Sequence, residues 1–224
     1  MGQSVCRRNG LTNKTLSMKY KRIIWDIDGV LLRTDKGVID AVNYILTAHN
    51  HPVLTSKQTE KLLATSRIQD ALRDIFNTSD EDALILANEY RAIYQERFLY
   101  EAELYPHILD ILKNFHEMGC VQAITTNKHR KYAPLICQYF GLDQYCNPII
   151  GHDGQSQTTK SQLLYQCLEI IGSRDAVMIG DTVGDKEAAA AMKIYFIGVN
   201  YGYGFHDVPG YANSPREILS LLND

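Results

Sequence analysis

The chain has no Cys-x-x-Cys pair, no surplus of basic charge, and no apolar run near the roughly 20 residues that span a bilayer. Each absence excludes something. The cysteines, Cys6, Cys120, Cys137, Cys146 and Cys167, are scattered. Neither a disulfide frame nor a zinc site is expected of them; they read as reduced, core-filling thiols in a cytoplasmic protein. No signal-peptide apolar region follows the start. A net charge of −3 gives no reason to expect a nucleic acid or an anionic membrane as partner. Acids are missing from residues 1–18, where Arg7, Arg8 and Lys14 stand in little apolar pattern, so this stretch reads as a flexible tail. It opens Met-Gly-Gln-Ser-Val-Cys, with Cys6 where a myristoylation signal wants Ser or Thr.

What is present is enough for one sizeable core and a smaller appended unit: 224 residues, 45% of them hydrophobic. Ile23, Ile24 and Trp25 form the short apolar run of a buried parallel strand, ending in Asp26-Ile27-Asp28-Gly29. If the strand pleat persists past Asp26, both carboxylates lean one way and Ile27 turns away. Paired carboxylates at a strand mouth repel and lose hydration, which a bound cation or a proton-transfer role would offset. Turn punctuation is the plain alternative, since Asp and Gly are ordinary turn residues.

From residue 33 to 104 the pattern is wholly helical. Val38, Val42, Ile45 and Leu46 share one face, and Pro52 follows them. Thr55-Ser56-Lys57-Gln58 is a capping box. Ile68, Ala71, Leu72 and Ile75 form a further stripe, and Ser79 opens a long helix with Ala83, Ala87, Tyr90, Tyr94 and Phe98 on one side. A small helical bundle is expected there, inserted into the chain just after its first strand. From 105 onward helix and strand alternate, with strands expected at 121–125, 148–150, 176–179 and 194–199, and a helix starting near Arg130. The expected fold class is therefore α/β: a Rossmann-like parallel sheet core built from 19–32 and 105–224, with residues 33–104 as an α-helical bundle insert.

Ligands of such sheets bind beyond the carboxyl ends of the strands. The strand ends here carry Asp26 and Asp28, then Thr125-Thr126-Asn127-Lys128, then Gly180-Asp181-Thr182-Val183-Gly184-Asp185, with Lys160 opening the helix between the last two. Hard carboxylate oxygens suit Mg²⁺, and hydroxyl, amide and ammonium groups suit a phosphoryl group. Singly each has an ordinary reading: Thr as a strand residue, Lys160 as a solvated lysine, Asp181 as a helix cap.

Together, WDIDGVLL, AITTNK, Lys160 in TTKSQLL and MIGDTVGDKEAAAA resemble the haloacid dehalogenase superfamily, in its phosphoglycolate phosphatase-like branch with a helical cap. The resemblance implies that Asp26 is a nucleophile forming an aspartyl-phosphate and Asp28 a general acid and then base. It implies that Thr126 and Asn127 bind phosphoryl oxygens and that Lys160 neutralises developing charge. Asp26, the Asp28 carbonyl and Asp181 would hold Mg²⁺, with Asp185 steadying its waters. Dehalogenases lack the second aspartate because halide leaves without a proton; an alkoxide needs one, so Asp28 implies phosphate esters.

The chain departs from the pattern in places. Val30 stands where many family phosphatases have Thr, a variant shared with sugar-phosphate mutases. The segment Thr65-Ser66-Arg67 lacks a glycine often found there, leaving Arg67 as a candidate for an anionic substrate group or a surface arginine. Lys193 replaces a common glycine. Lys128, His129 and Arg130 either strengthen the positive field or begin a solvated helix. The substrate expected is a small phosphorylated metabolite. The rivals are a sugar-phosphate mutase, a phosphonate hydrolase needing a Schiff-base lysine (Lys57 and Lys61 being available), and a non-catalytic binding protein. A monomer and a homodimer suit the sequence equally, and Tyr201-Gly202-Tyr203-Gly204-Phe205 reads as either a site entrance or a contact surface.

Overall fold

The computed structural model describes residues 18–65, 67–154 and 158–222. The tail at 1–17, its myristoylation-like start with Cys6, and Ser66 lie outside the described residues. Met18, assigned to the tail from sequence, packs against the core.

The run Arg22–Trp25 is β1, the middle strand of a five-stranded parallel sheet ordered β5-β4-β1-β6-β7. Its neighbours are β4 (Val121–His129) and β6 (Val177–Gly180); β5 (Ile149–His152) and β7 (Tyr195–Gly198) form the edges. Strand alternation divides the apolar residues between two cores. Ile23, Trp25, Ile124, Val177 and Ile179 face one side, together with α5 (Ile108–Glu117), α6 (Ala133–Tyr139) and α9 (Pro215–Leu222). Ile24, Ala123 and Met178 face the other, under α7 (Lys160–Ile171) and α8 (Val183–Met192). Cys120, Cys137, Cys146 and Cys167 are buried free thiols within these layers.

Between β1 and the remaining sheet come α1 (Asp35–Ala48), α2 (Ser56–Ala64), α3 (Ile68–Phe76), α4 (Asp80–Ile93) and a π-helical turn at Tyr94–Phe98. Both anticipated caps form: the Thr55–Gln58 box starts α2, and the Ser79 hydroxyl accepts from the Asp82 N–H to start α4. The chain enters and leaves this helical insert through a two-stranded antiparallel ribbon, β2 (Leu32–Arg33) against β3 (Glu103–Leu104).

Several boundaries differ from the sequence reading, those at the site most of all. β4 runs on to His129, four residues past the expected end, because a register shift between Thr126 and His129 lets it follow β5 further. Lys128 and His129 therefore belong to a strand, and α6 begins only at Ala133. Finally, α8 starts at Val183 because Thr182 and Asp185 make a capping box. Lys193 adopts φ +56 at the end of that helix, the left-handed cap conformation that glycine takes most easily.

Candidate active site

Alternation along β1 aims Asp26 at the face of Ile24, under α7 and α8. There Lys160, the first residue of α7, places Nζ 2.8 Å from Asp26 Oδ1 and 2.9 Å from Asp185 Oδ1. The Asp26 Oδ1 also accepts from the Ile27 N–H at 2.8 Å. Burial pushes the Asp26 carboxyl up to about 7; Lys160 opposes this, and Asp185 and Asp28 add to it. Burial lowers the Lys160 ammonium, but Asp185 and Asp26 outweigh it and hold it above the ordinary lysine value.

Asp181 follows β6 and is also buried. Its Oδ2 accepts the Tyr203 N–H at 2.7 Å, whereas Oδ1 is buried with no hydrogen-bond partner. Burial, then Asp185 and Asp26, raise this carboxyl well above its ordinary value. Oxygens of Asp26, Asp181 and Asp185 lie within 4.8 Å of one another. An orphaned oxygen beside two further buried carboxylates is what a hard divalent cation would satisfy, so the residues fit Mg²⁺. Asp185 has other work as well: its Oδ2 accepts from the Thr182 hydroxyl at 2.7 Å and so holds the start of α8.

Asp28 has different surroundings. The pleat ends at Trp25, and Val30, Leu31 and Leu32 all donate their N–H groups to the Ile27 carbonyl. Ile27 turns into the opposite core, as alternation suggests. Asp28 emerges on that turn rather than on a strand. Its Oδ1 accepts from the Thr34 hydroxyl at 2.7 Å and lies 3.1 Å from Lys128 Nζ. The two aspartates thus line one cavity while being held by different partners. Gly29 completes the turn at φ +75; a Cβ there would lie 2.1 Å from Asp181 Oδ2.

The cavity is an open cleft between the sheet edge and the insert. Asp26, Asp28, Asn127 and Asp181 line it from the sheet, and Leu62, Arg67, Tyr90, Arg91 and Tyr94 from the insert. Thr126 is fully buried beside it and accepts the Lys128 N–H at 3.1 Å.

A family model, haloacid dehalogenase-like hydrolase, matches residues 23–199. The chain belongs to that family. It is similar to a phosphoglycolate phosphatase of Photobacterium profundum, 27% identical over 214 residues, which are 91% of this chain and 93% of that protein. It is also similar to a 5'-nucleotidase of Pseudomonas aeruginosa, 25% identical over 195 residues, covering 85% and 87%. In fold it resembles a predicted phosphatase from Clostridium acetobutylicum, with a TM-score of 0.82, 24% identity, and coverage of 90% of this chain and 99% of that one.

As a haloacid dehalogenase-like hydrolase, the chain brings every sequence-selected residue to or beside one cavity. Asp26, Asp181, Asp185 and Lys160 form one buried cluster, Asp28 stands apart from it, and Asn127 and Arg67 line the cleft. Arg67 begins α3 with its Nε 3.7 Å from Asp70. Sequence reasoning missed four partners. Lys128, read as either strengthening the positive field or beginning a solvated helix, is buried; its spacing of two from Thr126 on one strand was the available signal. Thr34 carried none and Tyr203 only its place in the glycine–aromatic loop, because their contacts with Asp28 and Asp181 depend on how the turns fold. Arg91 reaches the cleft from α4, and burial and then Arg67 lower its pKa.

Among the described residues no helix is long and apolar enough to cross a membrane.

Proposed function

We propose that this haloacid dehalogenase-like phosphatase hydrolyses a small phosphorylated metabolite through an aspartyl-phosphate on Asp26, with Mg²⁺ as its cofactor. The observation carrying this reading is the division of labour between its carboxylates. Asp26 sits against Lys160 within the metal-suited cluster, while Asp28 faces the same cleft outside it. That is the division required when one carboxylate attacks phosphorus and another handles the proton.

In the first step an Asp26 oxygen forms a bond to phosphorus as the ester P–O bond breaks, and Asp28 gives its proton to the departing alkoxide. In the second, Asp28 takes a proton from water, which attacks the same phosphorus; the Asp26–phosphorus bond breaks and inorganic phosphate leaves. Thr126 and Asn127 bind phosphoryl oxygens, and the Lys160 ammonium offsets charge as it builds on them. Asp26, the Asp28 carbonyl and Asp181 would hold the Mg²⁺, with Asp185 behind them. When bound, the ion neutralises phosphoryl charge as a Lewis acid. Residues 33–104 act as a cap over the sheet edge of 19–32 and 105–224, and Arg67 on that cap reads an anionic part of the substrate. The buried free thiols accord with a cytoplasmic setting.

The test is phosphate release from a panel of phosphorylated metabolites, with Mg²⁺ and with EDTA, for the native protein and Asp26→Asn. Metal-dependent release, lost by roughly 10³-fold or more in Asp26→Asn, is the expected result. Release that survives Asp26→Asn, or that ignores EDTA, overturns the reading. Conversion of one sugar phosphate into its isomer without phosphate release, dependent on a phosphorylated activator, would make the protein a mutase instead.

A further inference from the structure

Lys128 is an unusual residue to find where it is. Its side chain is only 4% exposed, at the end of β4, where the register shift re-aims the strand. Nζ lies 3.1 Å from Asp28 Oδ1, donates to Tyr94 Oη at 2.9 Å, and sits 4.6 Å from the centre of the Tyr94 ring.

Tyr94 comes from the insert, not the sheet. It opens the π-helical turn at the end of α4, a helix irregularity frequent at functional positions. The ring is held tightly: stacked on Tyr90 at 5.5 Å and tilted against Tyr132 at 5.8 Å. A chain of contacts therefore runs from the packed aromatic face of the insert, through one ammonium, to Asp28. Lys128 is withdrawn from water beside a carboxylate that is itself 31% exposed, and well-packed apolar residues in place of such an ammonium often serve stability as well or better. The pair is thus poorly explained by stability alone. Thr34 and Lys128 both contact Oδ1, which fixes the rotation of the Asp28 carboxylate and leaves Oδ2 outside these two contacts.

We propose that Lys128 is a positioning residue that orients the Asp28 carboxylate toward the leaving-group oxygen, and that Tyr94 holds Lys128 in place, so that the helical insert supports the proton-transfer side of the reaction. The inference rests on the reading of Asp28 as the acid. It has a signature that a purely structural role lacks. An alkyl phosphate needs a proton on its departing oxygen, whereas p-nitrophenyl phosphate releases a stable phenolate without one. Loss of a well-aimed acid must therefore harm the first far more than the second.

The experiment measures kcat/KM, which reports phosphoryl transfer to Asp26, for ethyl phosphate and p-nitrophenyl phosphate with Lys128→Met, Tyr94→Phe and Asp28→Asn. For Lys128→Met the expected losses are about tenfold or more on the alkyl ester and under about threefold on the aryl ester. Tyr94→Phe keeps the ring and should show the same selectivity, smaller; it carries the test if Lys128→Met does not fold. Mg²⁺ binding measured by calorimetry should stay unchanged in both, since Lys128 contacts Asp28 and Tyr94 rather than the Asp26–Asp181–Asp185 cluster. Equal losses on both esters, or none, with Asp28→Asn still selective, overturn the role of Lys128 alone. Equal losses in Asp28→Asn as well would overturn the acid assignment itself.

Discussion

Asp181 has one carboxylate oxygen bonded to the Tyr203 N–H and the other buried without a partner. Burial and its acidic neighbours hold its folded pKa well above the unfolded value of about 3.9. Below that unfolded value both states are protonated, and the group does not affect stability. As pH rises from there toward the folded pKa, the unfolded chain loses its proton first and the metal-free protein loses stability. Asp181→Asn removes this penalty. Its melting temperature without metal should exceed that of the native protein at pH 8, by a few degrees, and approach it near pH 4. Mg²⁺ should stabilise the native protein and not the variant. Thermal denaturation with Mg²⁺ and with EDTA at the two pH values reads both effects. A variant less stable at pH 8, or still stabilised by Mg²⁺, would contradict the metal assignment. At this scale the acids were legible in the sequence because chemistry restricts which residue types serve. The contacts of Lys128, Thr34 and Tyr203 with those acids were not, because each reaches its carboxylate across a fold.

At the scale of the element, position is set by helix starts. Thr159 and Thr55 make the same capping box, each hydroxyl accepting from the backbone N–H of a glutamine three residues on. Only the Thr159 box precedes Lys160, whose Nζ must reach both Asp26 and Asp185. Thr55→Ala and Thr159→Ala should each lower stability by about 1 kcal/mol. Turnover should fall several-fold in Thr159→Ala alone, with Thr55→Ala at the native rate. Equal turnover in the two variants would show that the cap contributes nothing to aiming Lys160. These helices were readable because caps and stripes are local; α7 begins at Lys160 and ends before Gly172 as the sequence suggests. The end of β4 was not, since pairing with β5 and not propensity extends it to His129.

For the whole molecule, the decisive contact is between the loop after β7 and the passage into the insert. The Tyr203 hydroxyl accepts from the Thr34 N–H at 2.6 Å and the Asp35 N–H at 3.0 Å, at the start of α1, while its own N–H holds Asp181. Nearby, the Tyr201 hydroxyl donates to the Val30 carbonyl, and the Tyr105 hydroxyl, just after β3, donates to the Tyr201 carbonyl. Gly202 lets this loop close, since a Cβ there would lie 2.4 Å from Asp181 Cβ. The glycine–aromatic loop is thus an internal clamp on the insert. Tyr203→Phe should speed hydrogen exchange at the Thr34 and Asp35 amides and raise KM about two- to fivefold, with stability lowered by about 1 kcal/mol. Unchanged exchange at those two amides would remove the clamp from the account.

The sequence by itself determined the parallel sheet, the helical insert and the acids at the strand ends. Each follows from local patterning or from the few residue types that carry the chemistry. Only the tertiary structure decided that Asp26 and Asp28 have separate partners, that Lys128 is buried against Asp28 and Tyr94, and that Tyr203 ties Asp181 to the start of α1. Those contacts join residues far apart in the chain, and a side chain's environment is set by what the fold packs around it.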